Sequence, residues 1–271
     1  MSPPIKLVST DFDGTLFAEF EMPPIPPSIV KLIGDLQRCG TKWVINTGRD
    51  MSSLMESLAR ARIPIQPDYL VLVEREIHRH DGVRYKGDEQ WNAACAADHA
   101  ELFARVRNDV PRLMDWVNSR YNATVYEDAF SPFCLIAGSN GDADEIHRFL
   151  DDYARTVPHL TVVRNDVYAR FSHADYNKGT ALAEIARQIN VSPSEIFAAG
   201  DHLNDLPMLS RRYAHWLAAP ANAMPETKNA VLRENGFVSD LPTGDGVADA
   251  LERALAQSSG QKESSFPHPP E

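Results

Sequence analysis

Cysteine is scarce in this chain, and what there is does not pair. The three cysteines, Cys39, Cys95 and Cys134, lie far apart, are odd in number and form no CxxC. That argues against a disulfide framework or a cysteine-built zinc site and points to free thiols in a reducing compartment. Basic residues are outnumbered, 27 against 38 acidic, for a formal net charge of −11. Nucleic-acid backbones and anionic membranes attract basic surfaces, so neither is expected as a main partner. A small phosphorylated metabolite is still compatible, because one cation and one lysine can hold phosphate locally on an acidic protein. Long apolar runs are missing too. Met1-Ser2-Pro3-Pro4 is not a basic leader, and Ile5–Val8 is far too short for a signal peptide or a membrane span. The expectation is a cytoplasmic protein.

What is present is an ordinary globular composition, 43 % apolar and 24 % charged over 271 residues, with room for two domains. The first third alternates. Ile5–Thr10 reads as a buried strand, and a Pro-rich stretch then leads into a helix capped by Ser28, with Ile29, Leu32, Ile33 and Leu36 on one face. Strand Lys42–Asn46, a helix over roughly 52–62 and strand Tyr69–Val73 follow. Such alternation implies a parallel sheet, whose carboxyl edge is where ligands bind.

The middle changes character. Asp81-Gly82 marks a hairpin between 76–80 and 83–86. A long helical region over roughly 98–120, strands near 123–126 and 133–137, a helix over about 142–156 and strands at 160–164 and 167–171 read as an inserted α+β module. Alternation resumes with a helix from Lys178, strand Ile196–Ala199, a strand at 214–218 and a last helix over about 245–256. The fold class read from this is α/β, a Rossmann-like core with a parallel sheet plus an inserted α+β domain. The boundaries are 1–75 and 175–257 for the core and 76–174 for the insert. A Ser-, Pro- and Glu-rich tail, 258–271, is expected to be disordered.

Four short segments at strand ends or helix starts carry the chemistry. Asp11-Phe12-Asp13-Gly14-Thr15 follows a strand. One carboxylate can attack phosphorus while the other handles the leaving group's proton, and Gly14 lets the chain turn so that both face one point. An acidic turn without chemistry is the plain alternative. Thr47-Gly48 can hold a phosphoryl oxygen through a hydroxyl and a backbone N–H, or be an ordinary turn. Lys178 stands at a helix start, against the helix dipole, where it can neutralise phosphate or be a surface lysine. Asp201 and Asp205, four apart in Gly200-Asp201-His202-Leu203-Asn204-Asp205, suit Mg²⁺, which takes hard oxygen ligands. Helix capping is the alternative there. Each is weak alone; their order and common placement at sheet edges decide for a phosphate-transfer site.

These four segments closely resemble the four motifs of the haloacid dehalogenase superfamily of phosphatases, in order, over about residues 5–256. The insert resembles the C2-type cap of its Cof-like and sucrose-phosphatase-like branch, as does Pro220–Lys228 with its Asn222-Ala223. The resemblance implies an enzyme, a Mg²⁺-dependent phosphoric monoester hydrolase. Asp11 is then the nucleophile that forms an aspartyl phosphate, and Asp13 the acid/base. Thr47, Gly48, Lys178 and Asn204 hold or orient the phosphoryl group. Asp11, the Asp13 carbonyl, Asp201 and Asp205 surround the metal. One departure stands out. Where that branch carries Gly-Thr-Glu or Asn-Gly-Ala after the third strand, this chain has Glu74-Arg75-Glu76. Arg75 is therefore a candidate contact for an anionic or hydroxyl-rich leaving group, set against a surface ion pair with Glu74 or Glu76.

Other candidates read more plainly. His78 and His80 share a strand face without an evident third ligand and belong to an exposed hairpin. Trp91, Trp116 and Tyr126 either line a sugar pocket or pack a core. The leading function is hydrolysis of small phosphate monoesters, sugar phosphates among them. A sugar phosphomutase of the same superfamily and a non-catalytic sugar-phosphate-binding protein are the alternatives.

Overall fold

The computed structural model describes residues 3–263. In chain order, β1 (Leu7–Thr10) is buried throughout. Helix α1 (Pro27–Arg38) starts on a proline, whose missing N–H costs nothing in a first turn. Ser28, expected as its cap, lies inside that turn and donates instead to Asp245 Oδ1 at 2.5 Å. Strand β2 (Lys42–Asn46) leads to α2 (Met51–Ala61), capped by Asp50, whose side chain accepts the Ser53 N–H. Then come β3 (Tyr69–Leu72), β4 (Glu76–His80) and β5 (Tyr85–Gly87). The Asp81-Gly82 turn joins the last two: Asp81 Oδ1 accepts the Val83 and Arg84 N–H groups, and Gly82 sits at φ +98°.

Helices α3 (Glu89–Val106) and α4 (Val110–Asn118) replace the single long helix expected here. Pro111 in the first turn of α4 explains the break, because it cannot continue a preceding helix. Strands β6 (Ala123–Tyr126) and β7 (Cys134–Ala137), helix α5 (Asn140–Ala154), β8 (Leu160–Asn165) and β9 (Tyr168–His173) follow. The chain then runs through α6 (Lys178–Gln188), β10 (Ile196–Ala199), a 3₁₀ turn at Leu203–Asp205, β11 (Trp216–Ala219), α7 (Pro225–Arg233), β12 (Phe237–Val238) and α8 (Thr243–Glu263). Residues 258–263, expected in a disordered tail, continue α8; the rest of that expectation, 264–271, lies outside the described residues.

Two compact units emerge. The larger takes the described residues up to Lys86, Lys178–Asp201 and those from Asp205 on. Its sheet runs β12-β11-β10-β1-β2-β3-β4-β5, parallel from β12 to β3. Strand β4 pairs antiparallel with β3, Leu70 opposite His78. The β4–β5 hairpin thus extends the core sheet, and the insert begins at Gly87 rather than at 76. Strand order reverses at β1, which lies between β2 and β10, with Thr10 level with both Ile45 and Ala199. The residues just past those three strands therefore emerge side by side at one sheet edge. Ile29, Ile33, Phe12, Phe17, Trp43, Val247 and Leu251 fill the core around them.

The second unit, Gly87–Asn177 with His202–Asn204, carries the antiparallel sheet β6-β7-β9-β8. Its core holds Leu102, Leu113, Phe133, Ile146, Leu150 and Phe171. Trp116 stacks on Phe149, centroids 3.6 Å apart, which takes the core-packing side of its two readings. Among the described residues no helix is long and apolar enough to cross a membrane.

Gly179, next to Lys178, shows how tightly α6 is seated. A Cβ there would lie 2.4 Å from the Pro207 carbonyl oxygen and 2.7 Å from the Tyr213 ring. Gly→Ala inside a helix ordinarily stabilises by up to about 1 kcal/mol. At Gly179 the backbone clash reverses the sign, and denaturant unfolding of Gly179→Ala should show a loss of about 1–3 kcal/mol. An unchanged or raised midpoint would refute this reading of the packing.

Candidate active site

The site forms in the larger unit, where β1, β2 and β10 end and α6 begins. Asp11 leaves β1 with its N–H bound to the Ala199 carbonyl at 2.9 Å, and only 3 % of it is exposed. Lys178 is fully buried. Its Nζ donates to Asp11 Oδ1 at 2.7 Å and to Asp205 Oδ1 at 2.6 Å. Burial alone would drive this ammonium down, but the Asp11 and Asp205 carboxylates outweigh it and hold Lys178 above the ordinary lysine value. The surface-lysine reading is thereby ruled out.

Asp201 accepts the Thr15 hydroxyl at 2.7 Å, and its backbone N–H donates to Asp205 Oδ2 at 2.8 Å. Asp205 thus spends one oxygen on Lys178 and the other on the Asp201 turn. Two glycines permit this closeness. A Cβ on Gly14, itself at φ +72°, would lie 2.4 Å from Asp201 Oδ2, and one on Gly200 2.5 Å from the Asp205 Cβ. Asp11, Asp201 and Asp205 each bring one oxygen within 4.8 Å of the others. Burial, joined by the Asp205 charge, lifts the Asp11 carboxyl well above the usual range and Asp201 to about 7. Crowded hard carboxylates with one ammonium leave net negative charge in a buried place. That donor set fits a divalent cation of the Mg²⁺ class.

Asp13 stands apart from this cluster. Its side chain is 40 % exposed and receives a bidentate pair from Arg49, Nε to Oδ2 and Nη2 to Oδ1, both at 2.7 Å. Arg49 Nη1 also reaches the Ser53 and Ser57 hydroxyls, and its guanidinium lies over the Phe12 and Phe17 rings. Hydrogen bonding to Asp13 is the main reason its pKa is raised further. Sequence reasoning assigned no role to Arg49 or Thr15. The signal was there, an arginine directly after Thr47-Gly48 and a hydroxyl closing Asp11–Thr15.

Thr47 is buried at the end of β2, its N–H on the Val71 carbonyl and its Oγ1 accepting the Arg49 N–H at 3.2 Å. A turn after β3 braces this loop. Glu74 N–H donates to the Thr47 carbonyl and Val73 N–H to that of Arg49. Both residues lie in the left-handed region, Val73 at φ 43° and Glu74 at φ 69°, which is costly for side chains with a Cβ and most so for a β-branched one. The turn that glycine usually makes is thus kept without glycine. The Glu74 carboxylate is buried against Gly48, with Oε1 3.2 Å from where a Gly48 Cβ would stand, and it adds to the charge felt by Lys178. Arg75 is 5 % exposed, so it is buried next to Glu74 rather than standing on the surface. Asn204 is buried on the 3₁₀ turn one residue before Asp205. Asn222 closes the first loop, its Nδ2 donating to the Gly14 carbonyl at 2.7 Å.

An aspartate at the central strand's end, a buried lysine from a later helix and an acidic pair after a neighbouring strand define a class of hydrolase. Residues 112–251, more than half of the chain, match the family model described as haloacid dehalogenase-like hydrolase. The chain belongs to that family, and it is an enzyme of the hydrolase type. Over 258 residues it is 22 % identical to the 5-amino-6-(5-phospho-D-ribitylamino)uracil phosphatase YcsE of Bacillus subtilis (strain 168), covering 91 % of this chain and 94 % of that one. It is 25 % identical over 262 residues to a phosphoglycolate phosphatase of Methanopyrus kandleri, covering 93 % and 98 %. In fold it is similar to the sucrose-phosphatase of Synechocystis sp. PCC6803, solved with sucrose and phosphate. The TM-score is 0.69 at 16 % identity, over 92 % of this chain and 97 % of that one.

The raised Asp201 has a consequence for stability. Between the ordinary carboxylate value near 4 and its folded value of about 7, the folded state binds the proton and the unfolded chain does not. The metal-free protein should therefore lose stability as pH rises from about 4 to about 7, with no further loss from this group above that. Thermal unfolding at pH 5 and pH 8 checks this. The Tm difference should shrink when saturating Mg²⁺ is added, because the cation replaces the proton.

Proposed function

We propose that this protein is a Mg²⁺-dependent phosphatase of small phosphate monoesters, sugar phosphates among them, working through an aspartyl phosphate on Asp11. The observation that carries this reading is the contrast between its two neighbouring carboxylates. Asp11 is buried and fixed by Lys178, whereas Asp13 is half-exposed and held by Arg49. A nucleophile needs fixed aim, and an acid/base needs access to leaving group and water. Asp11 attacks phosphorus in line, and the leaving alcohol takes its proton from Asp13. Asp13 then removes a proton from the water that splits the acyl phosphate, which regenerates Asp11 and releases inorganic phosphate.

Lys178 and the Thr47 hydroxyl, with the Gly48 N–H, take the phosphoryl oxygens as charge develops. Asp205 aims Lys178 and the Asp201 turn. Asn204 orients the same loop. Asp11, Asp201 and the Asp13 backbone carbonyl would hold Mg²⁺, with Asp205 beside them. When bound, the ion supplies charge neutralisation at the phosphoryl group. Arg49 keeps Asp13 turned toward the leaving group, a positioning role. Arg75, a buried cation beside the braced turn, is assigned to an anionic or hydroxyl-rich leaving group, and the second unit to the specificity-setting cap.

Phosphate release from p-nitrophenyl phosphate and a panel of sugar phosphates tests the reading. Release should require Mg²⁺, vanish in Asp11→Asn and fall about 10²–10⁴-fold in Asp13→Asn. No release across the panel would sink the phosphatase and favour the binding protein. Transfer of phosphate between positions of a hexose without net release would favour the mutase. Arg49→Lys keeps the charge but loses the bidentate grip on Asp13. It should lower kcat more than it raises KM, whereas Arg75→Ala should raise KM for the preferred substrate and leave turnover of p-nitrophenyl phosphate near the parent level.

A further inference from the structure

Within the second unit, two histidines and an aspartate converge at one end of the β8–β9 pair. His173 ends β9 opposite Leu160, and His159 immediately precedes that residue. The Ala174 N–H donates to the His159 carbonyl at 2.8 Å, which holds this end together. His159 sits at φ 66°, in the left-handed region, and its ring lies nearly flat on His173, centroids 5.1 Å apart and planes 16° off parallel. Left-handed backbone at a non-glycine residue carries a cost that tends to persist where function requires it. Asp175 then reaches back, its Oδ2 3.0 Å from His159 Nδ1 and 3.9 Å from His173 Nδ1.

We propose that His159, His173 and Asp175 form a transition-metal site of the zinc class, separate from the carboxylate cluster of the larger unit. The three side chains bring ligand atoms within 4.8 Å of one another. Ligands of a tetrahedral zinc, each about 2 Å from the ion, lie about 3.3 Å apart. The observed 3.0 and 3.9 Å separations bracket that spacing. Imidazole nitrogens with one carboxylate favour zinc, copper or nickel over magnesium, whereas the all-carboxylate cluster has the opposite preference. His173 Nδ1 presents a lone pair, since it accepts the Asp175 N–H at 3.2 Å. The metal takes that N–H group's place, and water satisfies the freed N–H, because Asp175 is exposed.

Other aromatic rings also pack around His173. Tyr176 packs edge-on against it, and the backbone N–H of His173 donates to His99 Nε2 at 3.1 Å. His99 in turn bonds the Cys95 carbonyl at 2.7 Å through Nδ1. These contacts hold the His173 backbone and pack its ring. His159 and Asp175 lie open to solvent, so the site has an entry path and room for a water as fourth ligand. Asp175 belongs to the short segment 174–177 that leads out of this unit into Lys178. A bound ion pins that segment to the start of β8.

Calorimetric titration of the full chain with Zn²⁺, in excess Mg²⁺ to fill the carboxylate cluster, tests the site. One further equivalent should bind, and His159→Ala and Asp175→Asn should each weaken it by about tenfold or more. Both residues are exposed, so their substitution leaves the core of the unit intact. Cu²⁺ in place of Zn²⁺ should give an electron paramagnetic resonance spectrum with nitrogen hyperfine splitting that His159→Ala reduces. The proposal is overturned by no binding beyond Mg²⁺, by a site that survives both substitutions, by loss of the site in Asp11→Asn, or by a copper signal without nitrogen.

Discussion

The larger unit is organised around one ammonium with no access to water. Lys178 is fully buried and touches two carboxylates, Asp11 at the end of β1 and Asp205 on the turn after β10. A buried cation without partners is prohibitively costly, and removing one partner of a buried pair typically costs about 3–5 kcal/mol. The ends of both strands and the start of α6 must therefore meet at one point. Much else follows from that demand. Gly179 lets α6 approach the Pro207 carbonyl, Gly200 leaves room for the Asp205 side chain, and Asn46 Nδ2 ties down the Lys178 carbonyl at 2.9 Å.

This arrangement over-supplies negative charge. Asp11, Asp201 and Asp205 share one ammonium, and the buried Glu74 adds a further carboxylate that Lys178 feels. The upward displacement of Asp11 and Asp201 is the electrostatic expression of that surplus. Packing that accepts such a cost without a compensating ion is hard to justify on stability alone. The strain at Val73 and Glu74 belongs to the same account. Two left-handed residues persist because their N–H groups lock the Thr47–Arg49 loop to the sheet edge.

Much of this was legible in the sequence, for a definable reason. Chemistry-bearing residues stood at strand ends, and the strands were recognisable by short apolar runs, so a parallel sheet brought them to one edge. What was not legible depended on partners distant in the chain. Asp81-Gly82 announced a hairpin, but nothing local said that β4 would pair with β3 and extend the core sheet. Strand β12 has two residues, too few for periodicity to register. Ser28 looked like a cap, yet Pro26 took that position and Asp245, far along the chain, claimed the hydroxyl. Arg49 and Thr15 stood next to recognisable motif residues, but their partners, Asp13 and Asp201, were chosen by the fold.

The two aspartates that open the site illustrate how one short segment acquires two characters. Asp11 and Asp13 are separated only by Phe12, whose ring stacks on Phe17 at 4.8 Å and is fully buried. That apolar anchor turns the two carboxylates to different surroundings. Asp11 faces inward to a lysine and other carboxylates, where burial and the Asp205 charge raise its proton affinity. Asp13 faces a guanidinium that is itself seated on Phe12 and Phe17. The same ring pair therefore separates the acids and supports the arginine that holds the outer one. Loss of that stacking should disturb Asp13 before Asp11, since Lys178 fixes the inner acid independently of the ring.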